Sequence, residues 1–116
     1  MNQVEIVNLL NTLSIPSFYD HAPNGMRMPF LTIHITQPDN FAADDAVYIE
    51  KWHFRIDLYC AEKSIALERE IKDLLNANRI GWVRSEQYID EESCYEVEFD
   101  FDEVGDEDLE ADDGTP

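Results

Sequence analysis

Tyr48-Ile49-Glu50-Lys51-Trp52-His53-Phe54-Arg55-Ile56-Asp57-Leu58-Tyr59-Cys60 decides the fold of this chain. One parity carries Tyr48, Trp52, Phe54, Ile56, Leu58 and Cys60, and the other carries Lys51, His53, Arg55 and Asp57. Successive side chains of a strand point to opposite faces, so this pattern describes a strand with one face in a core and the other facing solvent. It places the Trp52 indole in the core. Strands of this kind belong to antiparallel or mixed sheets covered on a single side.

Upstream, Phe30 to Thr36 alternates Leu31, Ile33 and Ile35 against Thr32, His34 and Thr36, a second strand bounded by Pro29 and Pro38. Asp39 to Asp45 reads as the connection between the two. Asn2 with Glu5 three residues on makes a capping box, and Val4, Val7, Leu10 and Leu13 continue at helical spacing to Ser14. Ile15-Pro16 stops that helix, because the residue before a proline is pushed out of the α region. Ser17-Phe18-Tyr19 then extends, and Asp20 to Met28, with Pro23, Asn24 and Gly25, is a loop.

Downstream, Ser64 caps a helix whose apolar stripe is Leu67, Ile71, Leu74 and Leu75, and Asn76-Ala77-Asn78 gives its exit. Ile80 to Ile89 and Cys94 to Phe101 pair as a hairpin around Asp90-Glu91-Glu92-Ser93, with Tyr95, Val97, Phe99 and Phe101 inward and Glu96, Glu98 and Asp100 outward. The expected fold is α+β, with two helices packed on one face of a largely antiparallel four- to five-stranded sheet. The domain is expected to span residues 1–103. Residues 104–116, with dense like charge and no apolar period, are expected to be a disordered tail.

The chain has 116 residues, 26 acidic and eight basic, for a formal charge of −18. All eight bases precede Glu86, whereas 14 of the 26 acids lie from Asp90 onward. Binding a polyanion needs Lys and Arg to release its counterions, so this balance disfavours nucleic acid and anionic membrane as partners. No apolar run approaches the roughly 20 residues that span a bilayer, and no leader pattern opens the chain. A cytoplasmic protein, or one assembled into a particle there, is expected.

Chemistry-bearing patterns are sparse. His21, His34 and His53 sit on different elements, and Cys60 and Cys94 have no metal-type spacing. No G-x-S-x-G turn and no glycine-rich phosphate loop is present. Asp100-Phe101-Asp102-Glu103-Val104-Gly105 begins like a calcium loop, but Val104 stands at position five and Ala111 at position twelve, where a bidentate glutamate is required. No enzyme, cofactor or metal is expected.

Tyr19-Asp20-His21-Ala22-Pro23-Asn24-Gly25 leading into Pro29-Phe30, Asn40-Phe41-Ala42-Ala43-Asp44 before Tyr48, and Ile56-Asp57-Leu58-Tyr59 ahead of Glu68 and Leu74-Leu75 carry a resemblance. Glu86-Gln87-Tyr88-Ile89 and Tyr95-Glu96-Val97 continue it, so that it covers about residues 3–100. The chain resembles the tail completion, or tail terminator, proteins of long-tailed phages of Gram-positive bacteria. That resemblance implies a virion protein of the head-tail interface, a protomer of a ring, typically hexameric. Such a ring stops growth of the tail tube and offers a surface to the head connector. The residues expected to make assembly contacts are Asp20, His21, Asn24 and Arg27 of the 20–28 loop, Asn40, Phe41 and Asp44 of the following connection, and Lys51, His53 and Arg55 of the outward strand row. Lys51 and Arg55 could instead pair with Glu96 and Glu98 across the sheet. The alternative function is an acidic DNA-mimic-type inhibitor or regulator of a nucleic-acid enzyme, presenting carboxylates in place of phosphates.

Overall fold

The alternating stretch forms a strand at the middle of a five-stranded sheet. A computed structural model describes residues 1–43 and 47–105, with backbone alone for 37–43, 47–50 and 104–105. The elements run α1 (Gln3–Leu10), β1 (Ser17–Tyr19), β2 (Phe30–Ala43), β3 (Val47–Cys60), α2 (Ile65–Ala77), β4 (Val83–Ile89) and β5 (Cys94–Gly105). The strand order is β1-β2-β3-β5-β4. All neighbours are antiparallel except β1, which runs parallel to β2. The fold is α+β, as the hydrophobic patterns required.

Local chemistry sets the helix ends. Asn2 Oδ1 accepts from the Glu5 amide at 2.9 Å and Glu5 Oε1 accepts from the Asn2 amide at 2.8 Å, which completes the capping box. The helix closes at Leu10 rather than Ser14. The amides of Thr12 and Leu13 turn instead to the carbonyls three residues back, Leu9 and Leu10, which tightens the last turn. At the start of α2, Ser64 Oγ accepts from the Leu67 amide. Its exit is a Schellman turn with Arg79 at φ 59°: the Arg79 amide donates to Asn76 and the Ile80 amide to Leu75. Ile80 is therefore buried as part of the helix exit, and β4 starts at Val83 instead of at Ile80.

One hydrophobic cluster joins Ile6 and Leu10 of α1, Ile71 and Leu75 of α2, Leu31 and Ile33 of β2, Phe54, Ile56 and Leu58 of β3, and Val97 and Phe99 of β5. The register explains the sheet's share of it. Leu31 faces Leu58, Ile33 faces Ile56, and Ile56 faces Phe99 in the next strand. Phe54 and Phe101 stack with ring centroids 5.2 Å apart.

Three strand expectations need correction. Pro38 does not end β2; three steps from Thr36 to Asp39 match two steps from His53 to Lys51, and this one-residue bulge takes up Gln37-Pro38 without a ladder bond from the proline. The 39–45 connection is consequently strand up to Ala43. Trp52 lies opposite that bulge and is half-buried at the border of the core instead of within it. At the other end, β5 continues past Phe101 to pair Val104 with Lys51 and Gly105 with Glu50. The expected disorder of the tail falls, from residue 106 on, outside the described residues.

Candidate functional site

The sheet face that alternates away from the core is built from four rows of cross-strand partners. Tyr59 faces Glu96, Asp57 faces Glu98, Arg55 faces Asp100, and His53 faces Asp102. On the other side of β3, Thr32 faces Asp57 and His34 faces Arg55. Directly opposed side chains in adjacent strands lie close enough to bond, so this register alone creates a dense polar network.

The outward position of Asp57 and Glu96 does not leave them in water. Asp57 is 0% exposed and Glu96 8% exposed. Asp57 Oδ2 lies 3.3 Å from Arg55 Nε and 3.3 Å from His34 Nε2. Glu96 Oε2 accepts from the Tyr59 hydroxyl at 3.1 Å, and Oε1 accepts from Gln87 Nε2 at 2.5 Å. Asp57 Oδ1 is buried with no hydrogen-bond partner. A carboxylate oxygen from each of Asp57, Glu96 and Glu98 lies within 4.8 Å of the others.

Burial pushes the Asp57 carboxyl up to about 6, and the neighbouring Glu96 charge adds to the rise against the opposing pull of Arg55. Glu98 rises to about 7 through its contact with the Asp100 carboxylate, then through burial. Burial pulls the His53 imidazole down, but its bonds to Asp102 and Asp100 outweigh it and the net shift is upward. His34 moves the other way, lowered by burial and by Arg55.

These directions fix a pH dependence. An acid with a raised folded pKa keeps a proton that the unfolded chain has released, so stability rises as pH falls through about 7 toward the normal carboxylate range. His53 acts in the same sense, since its stabilisation is present at low pH and lost as pH rises through its raised value; His34 opposes them, and so does Glu86, whose lowered value matters only below the normal carboxylate range. The melting temperature in chelator-containing buffer is expected to be higher at about pH 5 than at about pH 7.5. Thermal melts across that range check it, and a melting temperature that climbs with pH would contradict the network.

The residues expected to make assembly contacts divide into three places. Asp20, His21 and Asn24 are exposed on their loop, where Gly25 takes φ 78°. They line one depression of about 370 Å³ together with Arg55, His34 and Tyr59. Arg27 is exposed but does not line it. His53 stands apart, its Nε2 2.9 Å from Asp100 Oδ1 and its Nδ1 2.9 Å from Asp102 Oδ1, with Lys51 Nζ 3.6 Å from Asp102 Oδ2. Lys51 thus lies beside Asp102 and Arg55 beside Asp57, and the charges of Glu98 and Glu96 also act on Arg55. Asn40 and Phe41 lie in β2, paired to Glu50 and Ile49, and Asp44 lies outside the described residues. Asp57, Glu96 and Glu98 were not among the expected contacts. The available signal was Asp57 itself, a lone acid set between Ile56 and Leu58 in the most apolar part of β3.

No protein-family model matches the chain, and no curated protein matches it. Among the described residues, no helix is long and apolar enough to cross a membrane.

Proposed function

We propose that the chain is a non-enzymatic structural protein of a phage virion, a tail completion or terminator subunit that forms a ring at the head-tail junction. The observation that carries this reading is the reach of the β2–β3 ribbon. Its pairing continues to Ala43 opposite Val47, whereas among the described residues β5 accompanies β3 as far as Glu50. The molecule is correspondingly long, 51 × 28 × 26 Å.

A two-stranded ribbon without a third strand or a covering layer is marginal in water. A neighbouring copy supplies that cover, and a head-to-tail contact repeated around an axis closes into a ring. The depression where the 20–26 loop meets Arg55 gives a second, polar surface for such contacts. The hexameric ring, the tube protein and the head connector follow from the resemblance, as does the virion location. The inhibitor alternative finds less support: a phosphate mimic needs free carboxylates, and Asp100 and Asp102 of β5 are held by His53 and Lys51.

The dilute protein is expected to be monomeric or weakly associating, and to form rings when concentrated or mixed with tail-tube protein. Sedimentation across a concentration series, with negative-stain electron microscopy of the mixture, checks this. A tight dimer independent of concentration would count against the ring.

A further inference from the structure

The buried Asp57 carboxylate has one oxygen accounted for and one not. Oδ2 faces Arg55 and His34, while Oδ1 is enclosed without a donor. Buried polar atoms are nearly always partnered, so an enclosed carboxylate oxygen beside two further carboxylates points to a positively charged ligand shared among them. We propose that Asp57, Glu96 and Glu98 form a binding site for one hard divalent cation, calcium, at the middle of the polar sheet face.

The geometry suits that ion. Calcium takes oxygen ligands at about 2.3–2.6 Å, so three evenly spaced oxygens that share one ion lie up to about 4.5 Å apart. The three carboxylate oxygens lie within 4.8 Å of one another, so a shift of at most a few tenths of an ångström, about 0.3 Å, brings them to that spacing. Magnesium, at about 2.0–2.1 Å, would need every pair drawn within about 4.2 Å, with near-ideal octahedral angles. An all-oxygen donor set also disfavours softer metals. Once all three carboxyls are ionised and His34 is neutral, they carry two negative charges more than the Arg55 guanidinium beside Asp57 balances, and one divalent ion neutralises that excess.

The surroundings complete the site. Gln87 and Tyr59 hold the Glu96 carboxylate from two sides, and Arg55 holds Asp57, so the ligands are oriented before any ion arrives. A depression lined by Ser85, Glu86 and Gln87 opens onto Glu96 and Glu98, giving a path inward and room for water ligands. The three ligands are not residues of the Asp100–Gly105 stretch that begins like a calcium loop, although Glu98 touches Asp100, and the site does not depend on the proposed assembly role.

The test is terbium luminescence and calcium titration calorimetry on the full chain, stripped with chelator. Tyr59, whose hydroxyl touches Glu96, should sensitise bound terbium, and calcium should displace it. One saturable site is expected, with an affinity of roughly 10⁻⁵ to 10⁻³ M, the range of calcium sites that are not high-affinity buffers. Glu98→Gln, a half-buried position, should weaken binding at least about tenfold while circular dichroism stays unchanged. Amides at Asp106, Glu107 and Asp108 should leave the same constant in place. Asp57→Asn supplies an independent check at the buried ligand. Three results would overturn the proposal: no saturable binding at millimolar calcium, loss of binding on neutralising the tail but not on Glu98→Gln, or an Asp57→Asn protein that binds calcium as before. A proton shared between Asp57 and Glu96 would give the first of these.

Discussion

Replacing Phe99 by alanine is expected to cost about 3–5 kcal/mol, the range for removing a fully buried aromatic side chain, and so to consume much of a small domain's stability. Phe99 is 0% exposed and stands on β5 between β3 and β4, facing Ile56 on one side and Arg84 on the other. Its ring meets Trp82 edge-to-face at 5.5 Å, so the truncation also removes an aromatic contact. Chemical denaturation of the two proteins under matched conditions gives the difference directly. A loss below about 1 kcal/mol would mean that the sheet face carrying Ile56, Val97 and Phe99 is not the core. Strand parity places the Trp52 indole in the core, but Trp52 is only half-buried, so Phe99 is the more demanding position.

Shortening the β2–β3 ribbon should separate folding from assembly. Phe41 and Ile49 are cross-strand partners, so replacing residues 42–48 by Asn-Gly joins them through a two-residue hairpin turn without changing the register below. Among the described residues the last β5 pairing is at Glu50, outside the removed segment, so the monomer should keep its melting temperature to within a few degrees, equivalent to about 1 kcal/mol or less. Self-association should fall by about 30-fold or more, as expected when an interface loses a dominant anchoring element. Sedimentation of both proteins at matched concentrations decides it. Unchanged association would remove the ribbon as an assembly arm, and with it the main support for the ring.

Short-range rules were legible in the residues themselves. Asn2 and Glu5 reveal a capping box because both bonds are made within one helical turn, and Ser64 does the same for α2. The parity of Phe54, Ile56 and Leu58, and of Val97, Phe99 and Phe101, identifies the core faces because a strand has only two. Asp90 to Ser93 makes the tight turn between β4 and β5, with Ser93 at φ 51° closing it.

Parity says which face a side chain leaves by, but not what awaits it there. Lys51, His53, Arg55 and Asp57 read as one solvated row, yet Asp57 is enclosed while the other three reach carboxylates. That outcome depends on which residues the register places opposite: Thr32 and His34 from more than 20 residues upstream, Glu96 and Glu98 from some 40 downstream. The same holds for Pro38, which reads as a strand end until a partner strand absorbs it as a bulge, and for Trp52, whose burial depends on that bulge. The sequence by itself determined the α+β class, the caps, the core parity and the acidic balance, since each follows from neighbours within about one turn or one pleat. Only the tertiary structure decided the sheet order, the reach of the ribbon and the burial of Asp57 and Glu96 beside Glu98, because these arise where strands distant in the chain come within hydrogen-bonding distance.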